Sequence, residues 1–444
     1  MLKFQYKNYL LMILMLAGVV SIFDRFVFAL VLEPIKSDLD LSDSQLGLMT
    51  GIAFAAFYAI AGIPIARWAD RGNRITIASL TMGLLGIMLA LCGMVSNFFQ
   101  LLLARAGVAV GEAGCMPTAQ SLLADYFDRA ERPQAMAIYF MFYPISMIAG
   151  YLVGGWLVEG FGWRTTFVIL GVPGVLAAIL IRLTLKEPRL AKPKQAATPQ
   201  PSLAVVSKIL WSKPTFRHLI TAFCVAYFFQ MGTSQWLAAF FMRNHNMGAA
   251  ELGAWLALSW GVFGALGNYS GGYFASRYAA RKETLQLRCL AVVVVLGGAA
   301  NAITYLAPSQ DTALLFVAAG AFLGSLANGP VFSIIQGLVS ENMRSVTLAI
   351  IFMFANLIGF GLGPLAIGFV SDLLFPFFEK ESLRYALALS TPGVFWIAFH
   401  FWKAGDTVEL DIKNEELNNA AYIDRTVSPM EEANACTGAI KNDC

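Results

Sequence analysis

The sequence predicts an all-α integral membrane protein, with twelve transmembrane helices arranged as two six-helix, pseudo-symmetric bundles. Composition is the first reason. Of 444 residues, 58% are hydrophobic and 13% charged, about half the charged share of an ordinary globular domain, and the mean hydropathy is +0.64. So much apolar surface cannot be hidden in one water-soluble core. The second reason is that apolar runs long enough to cross a bilayer, ~20 residues each, follow one another with short polar turns between them. The third is an internal repeat. Gly107 and Gly320, Gly111 and Gly324, Pro117 and Pro330, Gly150 and Gly363, and Gly155 and Gly368 are each 213 residues apart, as a duplicated unit requires. Near the second span, Ala66 with Gly272, Ala69 with Ala275 and Arg71 with Arg277 keep an offset of 206.

Taken in order, the spans are expected near 9–32, 45–68, 75–95, 99–124, 134–158, 164–185, 217–242, 249–275, 285–307, 312–339, 346–371 and 384–403. The first run is longer than the apolar region of a signal peptide, is interrupted by Asp24 and Arg25, and meets no small-residue cleavage signal, so it reads as a transmembrane helix. Glu33 and Pro34 are expected to end it, and Leu41-Ser42-Asp43 is placed to cap the second span. Arg67, Arg71 and Arg74 crowd the turn between spans two and three, and further basic residues fall between spans four and five (Arg129, Arg132), six and seven, eight and nine, and ten and eleven. The alternate loops are poorer in Lys and Arg, which puts both termini in the cytoplasm of an inner (plasma) membrane. The domains are then 1–185, an N-terminal six-helix bundle; 186–214, a cytoplasmic linker rich in Pro, Lys and Ala; 215–404, a C-terminal six-helix bundle; and 405–444, a polar, mostly acidic cytoplasmic tail expected to be disordered.

Several function classes are excluded. A formal charge of +3, with basic residues dispersed among short loops, does not suit nucleic acid. The six Cys (92, 115, 224, 289, 436 and 444) form no CxxC, and His218, His245 and His400 are scattered. Neither a disulfide framework, a metal site nor a nucleophile with its base is in view, so no enzyme and no cofactor are expected. A membrane sensor could share the architecture but would ordinarily bring a larger signalling domain than this tail. Parallel six-span repeats instead place a substrate between the halves near mid-membrane and let the halves rock about it. A chain carrying both repeats is expected to work as a monomer in the lipid bilayer.

The most informative stretch is ARAGVAVGEAG, from Ala104, inside the fourth span. A charge at membrane depth costs ~3 kcal/mol or more unless it faces protein or water. Arg105 and Glu112 are seven residues apart, two turns, so they share a helix face about 10 Å apart. Asp24 and Arg25 are neighbours in the first span, pointing ~100° apart, so they cannot both face lipid and at least one looks into a cavity. A static buried salt bridge is one reading of such residues. Four charges gathered in one half favour function, because Glu112 maps by the repeat onto Ser325 and Asp70 onto Ser276. The second half offers instead Tyr227, Gln230, Gln235, Trp236, Asn328 and Asn356, with Tyr143 in span five. Its aromatic residues suit either the wall of an amphipathic pocket or packing and lipid contact.

These residues resemble a known family. Twelve spans in two repeats, with Gly62 to Arg74 similar to its signature loop between helices two and three, resemble the major facilitator superfamily across essentially the whole chain. Ala66 stands where that loop usually has Gly, and its later Gly is displaced by one. FDRFVFALVLEPIKSDLDLSDSQLGL, ARWADRGNR, ARAGVAVGEAG and GWRTTF are similar to the bacterial spinster-like branch. The resemblance implies a secondary active transporter working by alternating access, moving a small amphipathic substrate, lysolipid-like or an organic anion. Carried onto this chain, it gives Asp24, Arg25, Arg105 and Glu112 as the branch's intramembrane charged cluster. A carboxylate in a low-dielectric cavity gains affinity for protons, so Asp24 and Glu112 are expected to be proton-sensitive, the proton being the coupling ion, with Arg25 pairing one of them in one conformation. Arg25 and Arg105 suit a head group beside the second-half residues. Asp70, Arg71 and Arg74 look like a gating latch, with Arg129 or Arg132 as partner for Asp70, although positive charge for topology alone would explain the arginines. The rival within transport is proton-coupled uptake of a small organic acid, aromatic or sugar-derived.

Overall fold

The structure, a computed structural model, describes residues 6–128, 130–188, 203–280, 282–340, 343–415 and 417, and these are almost wholly helical with no strand among them. Among the described residues, nine helical stretches are long and apolar enough to cross a membrane. Two of the nine are hairpins. Arg132–Thr184 folds back at Gly162, whose φ of 74° lies in the left-handed region open to glycine, and Val346–Gly405 folds back around the turn Glu379–Glu381. Pro214–His245, 32 residues long, runs alongside the others as the seventh span. Twelve spans in two sets of six result.

In the first half, span 1 is Tyr6–Leu39 and span 2 is Asp43–Thr50 with Ile52–Arg71. Span 3 is Arg74–Cys92, and span 4 is Phe98–Ala113 with Cys115–Tyr126. Spans 5 and 6 make up the hairpin about Gly162. In the second half, span 8 joins Ala249–Leu256 to Gly264–Tyr278, span 9 is Glu283–Leu306, and span 10 joins Gln310–Ser325 to Asn328–Gly337. Span 11 joins Arg344–Ala355 to Gly363–Phe378, and span 12 joins Ser382–Ser390 to Gly393–Gly405. Spans 8 and 11 pass through π-helical turns at Ala257–Phe263 and Asn356–Leu362, a widening that recurs at functional sites.

Two local expectations need correction. Span 1 does not stop at Glu33 and Pro34: the proline lies inside the helix, which continues to Leu39 and ends where Asp40 adopts a φ of 51°. The expected cap of span 2 is present as a full capping box, with the Ser42 hydroxyl accepting from Gln45 N and the Gln45 side chain accepting from Ser42 N. The tail is the second correction, because residues 408–415 are helical. Val408 is fully buried, Asp411 Oδ2 accepts from the Thr215 backbone N–H at 3.0 Å, and Glu415 pairs with Lys213 at 2.6 Å. The tail's first turns thus cap the start of span 7, satisfying a donor that no residue inside the helix can reach. Within the linker, Leu203–Ser212 is helical, and residues 189–202 lie outside the described residues.

The cores show how the halves meet. The largest runs through both, from Leu32, Leu46 and Phe167 to Trp236, Phe240 and Leu252. Toward the end that carries the termini each half has its own: Leu14, Ile75, Leu122 and Tyr139 in the first, Phe216, Leu287, Ile335 and Phe401 in the second. The halves are therefore joined at the end away from the termini and parted at the other. Close approach at the joined end depends on missing side chains. A Cβ on Gly47 would lie 2.6 Å from the Pro364 carbonyl, and one on Gly253 would collide with the Tyr151 carbonyl. At the parted end, a Cβ on Gly62 or Gly272 meets nothing within 4 Å among the described residues. Replacing Gly253 with Leu is expected to wedge the joined end apart. A cysteine put in place of Met49, fully buried there, should then react with a water-soluble maleimide about tenfold faster or more; an unchanged rate would mean that the halves separate along some other line.

Candidate functional site

Asp24 and Arg25 leave span 1 in different directions, and each meets a charge from span 4. Arg105 Nη1 lies 2.5 Å from Asp24 Oδ2, and the two side chains are 4% and 0% exposed. The Phe28 and Phe54 rings lie 4.2 and 4.9 Å from the Arg105 guanidinium, close enough for cation–π attraction. This pair is sealed inside the first bundle, with Asp24 Oδ1 and Arg105 Nε left without a hydrogen-bond partner.

The second pair is built differently. Arg25 holds Glu112 with two bonds, Nε to Oε2 at 3.0 Å and Nη2 to Oε1 at 2.6 Å, the fork geometry by which arginine grips a carboxylate. Glu112 is almost buried, whereas the Arg25 side chain keeps 23% of its surface exposed. Three rings lie around the guanidinium: Phe54 at 4.9 Å, Tyr58 at 5.8 Å and, from the π-helical turn of span 11, Phe360 at 4.8 Å. Phe360 belongs to the other half, so Arg25 stands at the seam where the bundles face each other. Two residues beyond Glu112 the helix of span 4 is interrupted at Gly114.

The other residues singled out in the sequence are spread more widely. Tyr143 is half exposed, its ring edge-on to Phe26. Tyr227 stacks on Phe223 at 5.5 Å, Gln230 is exposed and Gln235 partly so. Asn356 donates to the Phe352 carbonyl at 2.8 Å, and Asn328 donates to Asn268 Oδ1 at 2.9 Å. Trp236 is fully buried at the joined end, donating to the Pro364 carbonyl at 2.9 Å; it packs the seam and presents no face to a ligand. Arg105, 4% exposed and paired with Asp24, is likewise closed to a ligand in this state.

Of the arginines expected to form a latch, Arg74 and Arg132 make their contacts inside the first half and at its border with the linker. Arg74 is fully buried and bound to Glu187, to Asp125 at 2.7 Å and to the Ser121 carbonyl at 2.9 Å. Arg132 donates to the Ala124 carbonyl at 2.6 Å, and Arg71 is exposed. The side chain of Asp70, and Arg129, lie outside the described residues. Sequence reasoning passed over Phe360, which looked like one aromatic among many, and Arg243 near the end of span 7. A lone arginine just inside an apolar run was the available signal for the latter.

Two bundles of six helices parted at one end, with ion pairs on the inner helices of one bundle, are the architecture of a membrane transporter. The Major Facilitator Superfamily profile matches residues 14–399, and the chain belongs to that family. An MFS-type efflux pump of Mycolicibacterium smegmatis is 32% identical over 412 residues, covering 91% of this chain and 94% of that protein. A crystal structure of a bacterial homologue of the human lysosomal transporter Spinster, inward-facing and occupied, is 29% identical with a TM-score of 0.79, over 91% of this chain and 98% of that one. The probable L-galactonate transporter of Escherichia coli is 23% identical over 394 residues, 85% of each chain. The spinster-like character read from the sequence thus has its structural counterpart.

The sealed pair yields a stability prediction. Removing one member of a buried pair strands the other charge, so Arg105→Leu should cost about 3 kcal/mol, while the double variant Asp24→Leu/Arg105→Leu should recover most of that loss. Thermal unfolding of the purified protein checks both; additive losses would show that the two side chains do not act as a unit.

Proposed function

We propose that this transporter couples an amphipathic organic anion to a proton through the Arg25–Glu112 pair, with the halves rocking about that point. The observation that carries the reading is the bidentate pair itself, part-exposed at the seam and ringed by aromatic side chains from both halves. Arg25 needs one anion at a time. In the empty site Glu112 supplies it. A substrate carrying a carboxylate or phosphate takes Glu112's place, and the displaced carboxylate, buried and without a cation, is neutralised by a proton. Proton and anion therefore bind together, and each strengthens the other by the same factor. Glu112 rather than Asp24 takes the proton, because Asp24 is sealed against Arg105. Phe54, Tyr58 and Phe360 flank the head group and favour a ligand with an apolar body.

The parted end carries the termini, so with both termini cytoplasmic this is the inward-facing state of a monomer in the inner membrane, with no cofactor beyond the proton. A smaller organic acid as cargo is the second reading. It is favoured by the relative named as a probable L-galactonate transporter and would use the same pair.

Ligand-induced thermal stabilisation of the purified protein, with lysolipids, sphingoid phosphates, steroids and aromatic or sugar acids at two pH values, tests the proposal. Affinity for the anion that binds should rise as pH falls, by up to about tenfold per unit where Glu112 is charged in the empty site. Glu112→Gln should bind tightly at both pH values and Arg25→Ala at neither. Unchanged pH dependence in Glu112→Gln would sink the coupling site. A hit confined to small acids would move the cargo to the second reading.

A further inference from the structure

The joined end is held by a charge network. Arg243, two residues before the C-terminal end of Pro214–His245, reaches into the first half. Its Nη1 and Nη2 each lie 2.7 Å from an oxygen of Asp43, and its Nε lies 2.5 Å from Glu33. Asp43 opens span 2 and is 2% exposed; it also receives Lys36 at 2.7 Å and the Ser371 hydroxyl at 2.7 Å. The exchange is reciprocal. Asp372, from span 11 in the second half, accepts from the backbone N–H groups of Asp43 and Ser44 at 3.0 and 2.8 Å and from the Ser44 hydroxyl. An acid of the second half thus sits on the helix N-terminus of the first, where the dipole favours it, and a cation of the second half sits on two acids of the first.

We propose that Arg243 is the gating residue of this end: release of its guanidinium from Asp43 and Glu33 is the step that lets the halves part here and close at the terminal end. Four features argue for a gate over a permanent tie. Every bond of Arg243 and Asp372 just described crosses the surface along which the bundles must separate. Lys36 lies in the same half as Asp43, so the buried Asp43 keeps a cation after Arg243 leaves, while Glu33, whose side chain is 25% exposed, is the acid left to solvent. The backbones around the network touch through Gly368, against the Asp43 carbonyl, and Gly47, against Pro364, so a small movement of one half on the other disturbs it. A planar fork gripping two acids is either seated or not, which suits a two-state element. The inference rests on alternating access alone and not on the ligand or the proton.

Hydrogen exchange of the full-length protein in nanodiscs, without ligand and at one pH, is the test. In Arg243→Met, amides of 44–52 and 364–374 should exchange about tenfold faster or more, while those of 60–72 and 268–278 become slower, because opening one end closes the other. Arg243→Lys, which keeps the charge without the fork, should fall between. Faster exchange near residue 243 with no slowing at 60–72 would overturn the gate and leave a structural tie. Should Arg243→Met fail to fold, Asp372→Asn carries the test, with the same reciprocal pattern expected at smaller amplitude and its absence counting against the gate. Because no ligand is present, this outcome is independent of the coupling at Glu112.

Discussion

Hydrocarbon cannot solvate charge, and most of this molecule's internal arrangement follows from how each inner charge finds a partner. Asp24 and Arg105 are joined inside one bundle, Arg25 and Glu112 at the seam, and Arg243, Asp43 and Glu33 across the joined end. The three sites differ less in chemistry than in what surrounds them. The first is walled by rings and closed; the second has rings but an open side; the third has both halves as its walls. The same ion-pair chemistry thus gives a sealed pair, a pair open on one side and a link between the halves, according to what walls it.

The division of labour between the halves follows. Ionisable residues at mid-membrane stay in the first half, where tight contacts between spans 3 and 4, such as Gly111 against Leu85, hold their geometry. The second half contributes the two π-helical turns, one of which carries Phe360 to Arg25. A duplicated unit has thus kept its rods and diverged where they approach the centre: Glu112 pairs with Arg25 at the seam while its repeat partner Ser325 packs near Gly264 and Gly267.

Much of this was legible in the sequence, for identifiable reasons. The constant offset between Gly111 and Gly324 or Pro117 and Pro330 survives because backbone packing tolerates little drift, so the two bundles could be read off directly. The cost of charge in an apolar run marked Asp24, Arg25, Arg105 and Glu112 without any structure. Which charge pairs with which was not legible, since it depends on the rotation of span 1 against span 4, and an error of one residue in phase exchanges the partners. Arg243 escaped notice because arginine near the end of a span usually reaches for the membrane surface. The π-helical turns leave no periodicity to detect. Residues 408–415 read as a solvated tail because their polar side chains find partners in Lys213 and Thr215, nearly two hundred positions earlier.

That last contact bears on how the molecule is made. The cap on the first helix of the second bundle comes from Asp411, 196 residues downstream of Thr215. During synthesis span 7 emerges, inserts and waits with its terminus incomplete until 196 further residues have followed. A turn made 196 residues later finishes the element that opens the second bundle, so a product terminated before Asp411 carries an unfinished helix end as a mark of its own incompleteness.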